Sequence, residues 1–182
     1  MNTQSFNLQP FPQSTVPPDV SVTAAVARRA NLLAIRFGLT AKLSQVLFPA
    51  IAETPARKNN LWEETCSEFF VAAKAETPYW EFNLAPSGNW NVYHFDLYRQ
   101  GMSEELGFSA LPFTVNRQAN SVSLDVEIDL GKLACGDQPI QVGITMVVKL
   151  ASGEVSYWAL AHCDKQPDFH LRASFVAEIS SH

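Results

Sequence analysis

Tyr79, Glu81 and Asn83 alternate with Trp80, Phe82 and Leu84. In an extended chain successive side chains point to opposite faces, so this run sets a phenol, a carboxylate and an amide on one side and three large apolar groups on the other. The polar side is either a solvated outer surface or the floor of a groove. In a groove, the carboxylate and amide would meet ligand hydroxyls, while the rings of Tyr79 and Trp90 would offer flat apolar area.

A second group lies just upstream, where Trp62 is followed by Glu63, Glu64 and Glu68. If a strand begins by Trp62, then Glu64, Cys66 and Glu68 share a face. Clustered acids repel, so a basic partner is expected, and Arg57, Arg99 and Arg172 are the candidates. Such pairing makes either an Arg–Glu network that holds the fold together or a charged rim around a pocket.

Other chemistries are weaker. His162, Asp168 and His170 have imidazole and carboxylate groups that suit a zinc-like ion, but the same residues serve equally as loop-stabilising groups. His94 and Met102 are a conceivable haem axial pair, although no CxxCH attachment motif is present. Cys66 sits beside Glu64 and Glu68, which would raise its pKa, so a buried structural thiol is expected rather than a nucleophile. Glu68 and Glu81 on neighbouring strands would be the acid pair of a hydrolase, with His162 and His170 in support. The expected ligand contacts are therefore Trp62, Glu64, Glu68, Tyr79, Glu81, Asn83, Trp90 and Arg99, with His162 and His170 at the rim. No catalytic residue, metal ligand or cofactor is assigned.

These residues need a scaffold of strands. Pro86-Ser87-Gly88-Asn89 is a turn signal between two alternating runs, which predicts a central antiparallel hairpin with Trp80, Phe82, Tyr93 and Phe95 as its core side. Val20–Val26 and Leu32–Leu39 predict a second hairpin around Ala30-Asn31. Cys66–Ala73 and Ser121–Leu130 read as strands. Gln141–Leu150 and Glu154–Ala161 flank Ala151-Ser152-Gly153 as a third hairpin, and Phe169 or Leu171 to Ile179 supplies a last strand. Ser5–Leu8 could form a short edge strand before the prolines at 10, 12, 17 and 18. Residues 40–60 are irregular. A short helix is expected near Ser103-Glu104-Glu105-Leu106, with Ser103 as its cap. About nine short strands predict an all-β antiparallel β-sandwich of jelly-roll type, with a proline-rich segment over 1–18 and one domain over 19–182.

Composition narrows the classes. The chain has 182 residues, 47% of them hydrophobic, enough for a substantial core. Thirteen basic residues against 18 acidic ones, net charge -5, argue against tracking a phosphate backbone, so no nucleic-acid partner is expected. No run approaches bilayer length, and no membrane partner is expected. The first 18 residues have neither a basic nor an apolar leader region, and three scattered cysteines lack CxxC spacing. Both features point to reduced thiols in the cytoplasm.

Three ordered segments, RKNNLWEETCSEFFVA, YWEFNLAPSGNWNVYHFDLYRQGM and SYWALAHCDKQPDFHLRASF, carry a family likeness. Together they resemble the bacterial DOMON-like proteins, which are related to the family 9 carbohydrate-binding modules. The resemblance extends over most of residues 20–180. It implies a two-sheet sandwich that binds a sugar or haem without catalysis. Ser67, His94 and Cys163 depart from the pattern, standing where an aromatic, an arginine and a proline are usual. The resulting expectation is a noncatalytic domain for a small molecule, most plausibly a saccharide. The alternatives are an acid- or metal-assisted hydrolase, and a haem-binding or protein-interaction sandwich.

Overall fold

The computed structural model describes residues 3–133, 135–136 and 138–180. Two antiparallel sheets form the fold. The smaller contains β1 (Thr3–Asn7), β3 (Ser21–Arg29), β4 (Leu32–Thr40), β10 (Ser121–Asp129) and β9 (Phe113–Gln118), in the order β1-β3-β4-β10-β9. The larger runs β2 (Gln9–Pro10), β12 (Val155–Ala159), β11 (Ile140–Lys149), β5 (Cys66–Ala73), β6 (Tyr79–Leu84), β7 (Trp90–Phe95) and β8 (Ser103–Glu104). A short β13 (Ala177–Ile179) pairs with the start of β11. The expected antiparallel β-sandwich is the observed architecture.

Alternation explains the core. Val22, Ala24 and Val26 of β3, Leu33, Ile35, Phe37 and Leu39 of β4, and Leu124, Val126 and Ile128 of β10 all point inward. They meet Phe69 and Val71 of β5, Trp80, Phe82 and Leu84 of β6, and Ile140, Val142, Ile144, Met146 and Val148 of β11. Phe69 and Phe82 stack face to face at 4.3 Å, tying β5 to β6 inside the sandwich.

The larger sheet carries a second apolar cluster on its other face, built from Phe70, Tyr79, Tyr93, Phe95, Val147, Phe169 and Phe175. This corrects the expected core side of the central hairpin. Leu84 pairs with Trp90, so Trp80 faces His94 and Phe82 faces Val92, whereas Tyr79 pairs with Phe95 and Glu81 with Tyr93. Tyr93 and Phe95 therefore lie opposite Trp80 and Phe82. Both faces of the hairpin are buried, which is why its alternation of polar and apolar residues does not mark a solvated surface.

Other elements depart from the sequence reading for local reasons. Ser103–Glu104 is a strand against Tyr93 and His94, not a capped helix. A tight turn at Leu97–Gln100 sends the chain back along β7, and Gly101 enters it at φ 70°, where a Cβ would fall 2.0 Å from Asp96 Oδ2. The last strand is confined to Ala177–Ile179. Ahead of it, Leu171 accepts hydrogen bonds from the Ser174 amide and hydroxyl, and these curl Arg172–Ser174 into a single helical turn. Phe113–Gln118, with only two inward apolar residues, is an edge strand that alternation did not reveal.

The proline-rich start is built into both sheets. Thr3–Asn7 pairs with β3, the buried Leu8 crosses into the core, and Gln9–Pro10 pairs with β12. The expected boundary at 18/19 therefore does not separate a tail from the sandwich. Among the described residues, no helix is long and apolar enough to cross a membrane.

Candidate functional site

Strand register brings the acids together on the outer face of the larger sheet. One row runs Thr145, Glu68, Asn83 and Asn91 across β11, β5, β6 and β7. The next runs Gly143, Phe70, Glu81, Tyr93 and Glu104, ending on β8. Glu68 and Glu81 are thus diagonal neighbours on adjacent strands.

The chain after β12 folds back over these rows. Its Phe175 ring lies on Gly143, where a Cβ would come within 2.8 Å of the ring, so glycine is needed for this close approach. Phe175 also meets Phe70 and Tyr79. His170 sits edge-on to Phe70 and Phe95, at 5.2 and 5.1 Å. On the opposite side, the helical turn Leu61–Glu63 delivers Trp62, which packs edge-on against Tyr93. Between floor and cover is a cavity of about 360 Å³, within the range of small-molecule sites. Its apolar walls include Trp62, Phe95, Tyr157 and Phe169, and its polar groups are Glu68, Glu81, Arg99 and His170.

The polar groups form a directed chain. The Tyr79 hydroxyl accepts the Arg99 backbone N–H at 3.2 Å and lies 2.9 Å from His170 Nδ1. A buried phenol needs an acceptor for its proton, and Nδ1 is the one in reach. This assigns the His170 proton to Nε2, which faces Glu81 Oε2 at 3.8 Å. The Asn83 amide donates to Glu81 Oε1 at 2.9 Å. Asp168 accepts from the Arg99 guanidinium and from the His170 backbone N–H, each at 2.9 Å, and from the Tyr98 hydroxyl. The cover is thereby tied to the turn after β7.

Burial dominates the electrostatics. Glu68 is 3% exposed and Glu81 5%. Desolvation, then the charge of Glu81, pushes the Glu68 carboxyl well above the ordinary range. Desolvation lifts Glu81 to about 7, against the Asn83 hydrogen bond and the Arg99 charge. Burial, then Arg99, holds His170 neutral by lowering it to about 4. Burial would raise Asp168, but the hydrogen bonds from Tyr98, the His170 amide and Arg99 outweigh it and keep that carboxyl below its usual range. Desolvation and Glu68 push the Cys66 thiol well up, as fits a structural cysteine.

Of the expected contacts, Trp62, Glu68, Glu81, Arg99 and His170 line the cavity. Tyr79 and Asn83 lie beneath it and hold His170 and Glu81 in place. Three residues lie elsewhere. Trp90 is 4% exposed on the inner face, with the Arg57 guanidinium 4.5 Å over its ring. Glu64 is exposed, just past the Leu61–Glu63 turn. His162 packs on Phe11, and its Nε2 lies 2.9 Å from the Gln9 carbonyl, so it secures β2.

The expected arginine partners are also engaged elsewhere. Arg57 donates to Asn91 Oδ1 and to the carbonyls of Glu105 and Phe108. Arg172 donates to the Ala73 carbonyl and to Gln141. His94 packs against Trp80 on the far side of the hairpin from the cavity that Met102 lines, so the two form no axial pair. His162, Asp168 and His170 do not converge, and no metal-binding cluster occurs among the described residues.

Sequence reasoning missed Tyr157, Phe95 and Phe169 as cavity walls. Tyr157 reaches the site because it pairs with Val147, and β11 pairs in turn with β5. That ordering is non-local and leaves no trace in the alternation of any one strand. Phe169 had a weak signal, being next to His170.

No protein-family model and no curated protein matches the sequence. Solved structures do match in fold. A candidate carbohydrate-binding protein from Bacteroides uniformis superposes with a TM-score of 0.66 at 15% identity, over 92% of this chain and 83% of that one. A family 9 carbohydrate-binding module from Caldicellulosiruptor kristjanssonii, in complex with glucose, gives 0.54 at 10% identity, over 91% and 78%. The shared feature is the β-sandwich fold.

Proposed function

We propose that this chain is a noncatalytic saccharide-binding protein whose ligand occupies the cavity on the outer face of the larger sheet. The observation that carries this reading is the pairing of aromatic walls with buried, diagonally placed carboxylates in one small-molecule-sized space. Trp62, Tyr157 and Phe169 offer apolar surface to the C–H face of a sugar ring. Glu68 and Glu81 accept from or donate to its hydroxyls, and Arg99 and the His170 Nε2–H add donors. The likeness in fold to a module solved with glucose favours the same ligand class.

The likeness in fold to a candidate carbohydrate-binding protein and a carbohydrate-binding module supports the noncatalytic reading. Burial raises both cavity carboxyls, Glu68 well above the ordinary range and Glu81 to about 7. The three cysteines are free thiols, which fits the cytoplasmic setting expected from the sequence and favours a soluble saccharide over a wall polysaccharide.

A thermal-shift and calorimetric screen of mono- and disaccharides tests the reading. A melting temperature raised by at least one sugar, with the shift lost in Trp62→Ala while that variant stays folded, is the expected result. No shift and no heat with any sugar overturns it.

A further inference from the structure

We infer that the ligand this cavity selects carries a positively charged amino group, so that within the saccharide class the site prefers an amino sugar over a neutral one. The inference rests on the saccharide reading for the sugar and on independent geometry for the charge.

Glu68 and Glu81 meet on one face of the sheet, nearly sealed from water. Glu81 Oε1 is satisfied by Asn83, but Glu68 Oε1 is buried with no hydrogen-bond partner among the described residues. A buried acceptor left without a donor is costly, and a ligand that supplies one recovers that cost. An ammonium brings several donors and a full charge, and its bonds to carboxylates are stronger than those of a neutral hydroxyl.

The charges around the carboxyl pair favour a cation. Among the described cavity-lining residues Arg99 is the arginine, and its bond to Asp168 at 2.9 Å offsets its charge. His170 is neutral, and the Cys66, Tyr79 and Tyr93 hydrogens are all held more firmly than usual. Glu104, at the end of the Glu81 row, adds a further acid. Aromatic rings on several sides complete the setting, since their faces attract cations as well as sugar C–H groups. A neutral sugar would find the carboxyls protonated and could use them. Only a cation draws on both charges.

The test is titration calorimetry of the full chain with glucosamine, glucose, N-acetylglucosamine and methylammonium. Glucosamine is expected to bind about tenfold more tightly than glucose or N-acetylglucosamine. At about pH 6 it should release a proton from the carboxyl pair, read as a dependence of the heat on buffer ionisation enthalpy. Glu68→Gln should remove both the preference for glucosamine over glucose and the proton release. Equal binding of glucose and glucosamine, without proton release, overturns the cation inference and leaves the saccharide reading standing. Binding of methylammonium with no sugar bound does the reverse. If none of the four binds, both are overturned.

Discussion

Glu68 and Glu81 lie diagonally across β5 and β6 because Glu68 pairs with Asn83 and Glu81 with Phe70. The shared face is covered, so burial raises the cost of ionising both acids, and the charge of Glu81 raises that of Glu68 further. This sets the sign of the pH dependence of stability. A carboxyl whose folded pKa is raised holds its proton more tightly when folded, so Glu81 makes stability fall as pH rises from 4.5 through about 7. His170, lowered from 6.5 to about 4, acts oppositely: its contribution is present above 6.5 and is lost as pH falls toward 4. The two oppose each other between these limits, and above 6.5 the carboxyls act alone. The melting temperature should therefore decline from about pH 6.5 to 8. Glu68→Gln should raise it at pH 8 by roughly 2–8 °C, as expected for about 1–2 kcal/mol, and change it little at pH 5. A Glu68→Gln protein no more stable than the parent at pH 8 would contradict the burial argument.

Trp62 and Trp90 offer a test of the proposed ligand contact against an architectural one. Trp62→Ala should abolish saccharide-induced stabilisation with a small loss of fold stability, since its ring is only partly buried. Trp90→Ala empties a core position and removes the ring under the Arg57 guanidinium, costing about 3–5 kcal/mol. Chemical denaturation of both variants, followed by ligand titration of those that fold, distinguishes the roles.

Tyr79→Phe removes the hydroxyl that orients His170 and accepts the Arg99 amide. A loss of about 1–2 kcal/mol is expected. The more specific readout is nitrogen NMR of the imidazole. The parent protein should show the His170 proton on Nε2, and the variant should show a mixture of tautomers.

Gly143→Ala places a methyl group where Phe175 now rests. Overpacking of this kind costs about 1–3 kcal/mol, and it acts on the segment that carries Phe169 and His170. Melting temperature and ligand affinity should fall together. Adding Phe175→Leu should restore part of the stability. Unchanged affinity in Gly143→Ala would show that the cover does not depend on this contact.

Much of the scaffold was legible because its information is local. The hairpin at Pro86–Asn89 and the strand Ser121–Leu130 announce themselves in turn residues and alternation. The polar stripe Tyr79, Glu81 and Asn83 was likewise readable as one face of a strand. Its surroundings were less so. Nothing near Trp90 says which face it takes, because that depends on which residue lies opposite Leu84 across the turn. His162 and His170 look equivalent in sequence, yet seven intervening residues of irregular chain send one to β2 and the other to the cavity. Arg57 and Arg172 were matched to the acids by charge alone, whereas backbone carbonyls claim them.

The entry of the chain through both sheets constrains the order in which the protein can assemble. Thr3–Asn7 finds its partner as soon as β3 exists, whereas Gln9–Pro10 must wait for Trp158 and Ala159. The bond between Gln9 and His162 joins residues 153 positions apart. On a ribosome, the β2 edge of the larger sheet therefore closes late, and the cavity cannot form before it has a cover. Until then the outer face bearing Glu68, Phe70 and Tyr93 stays open to water, so the covered cavity marks completion of the fold.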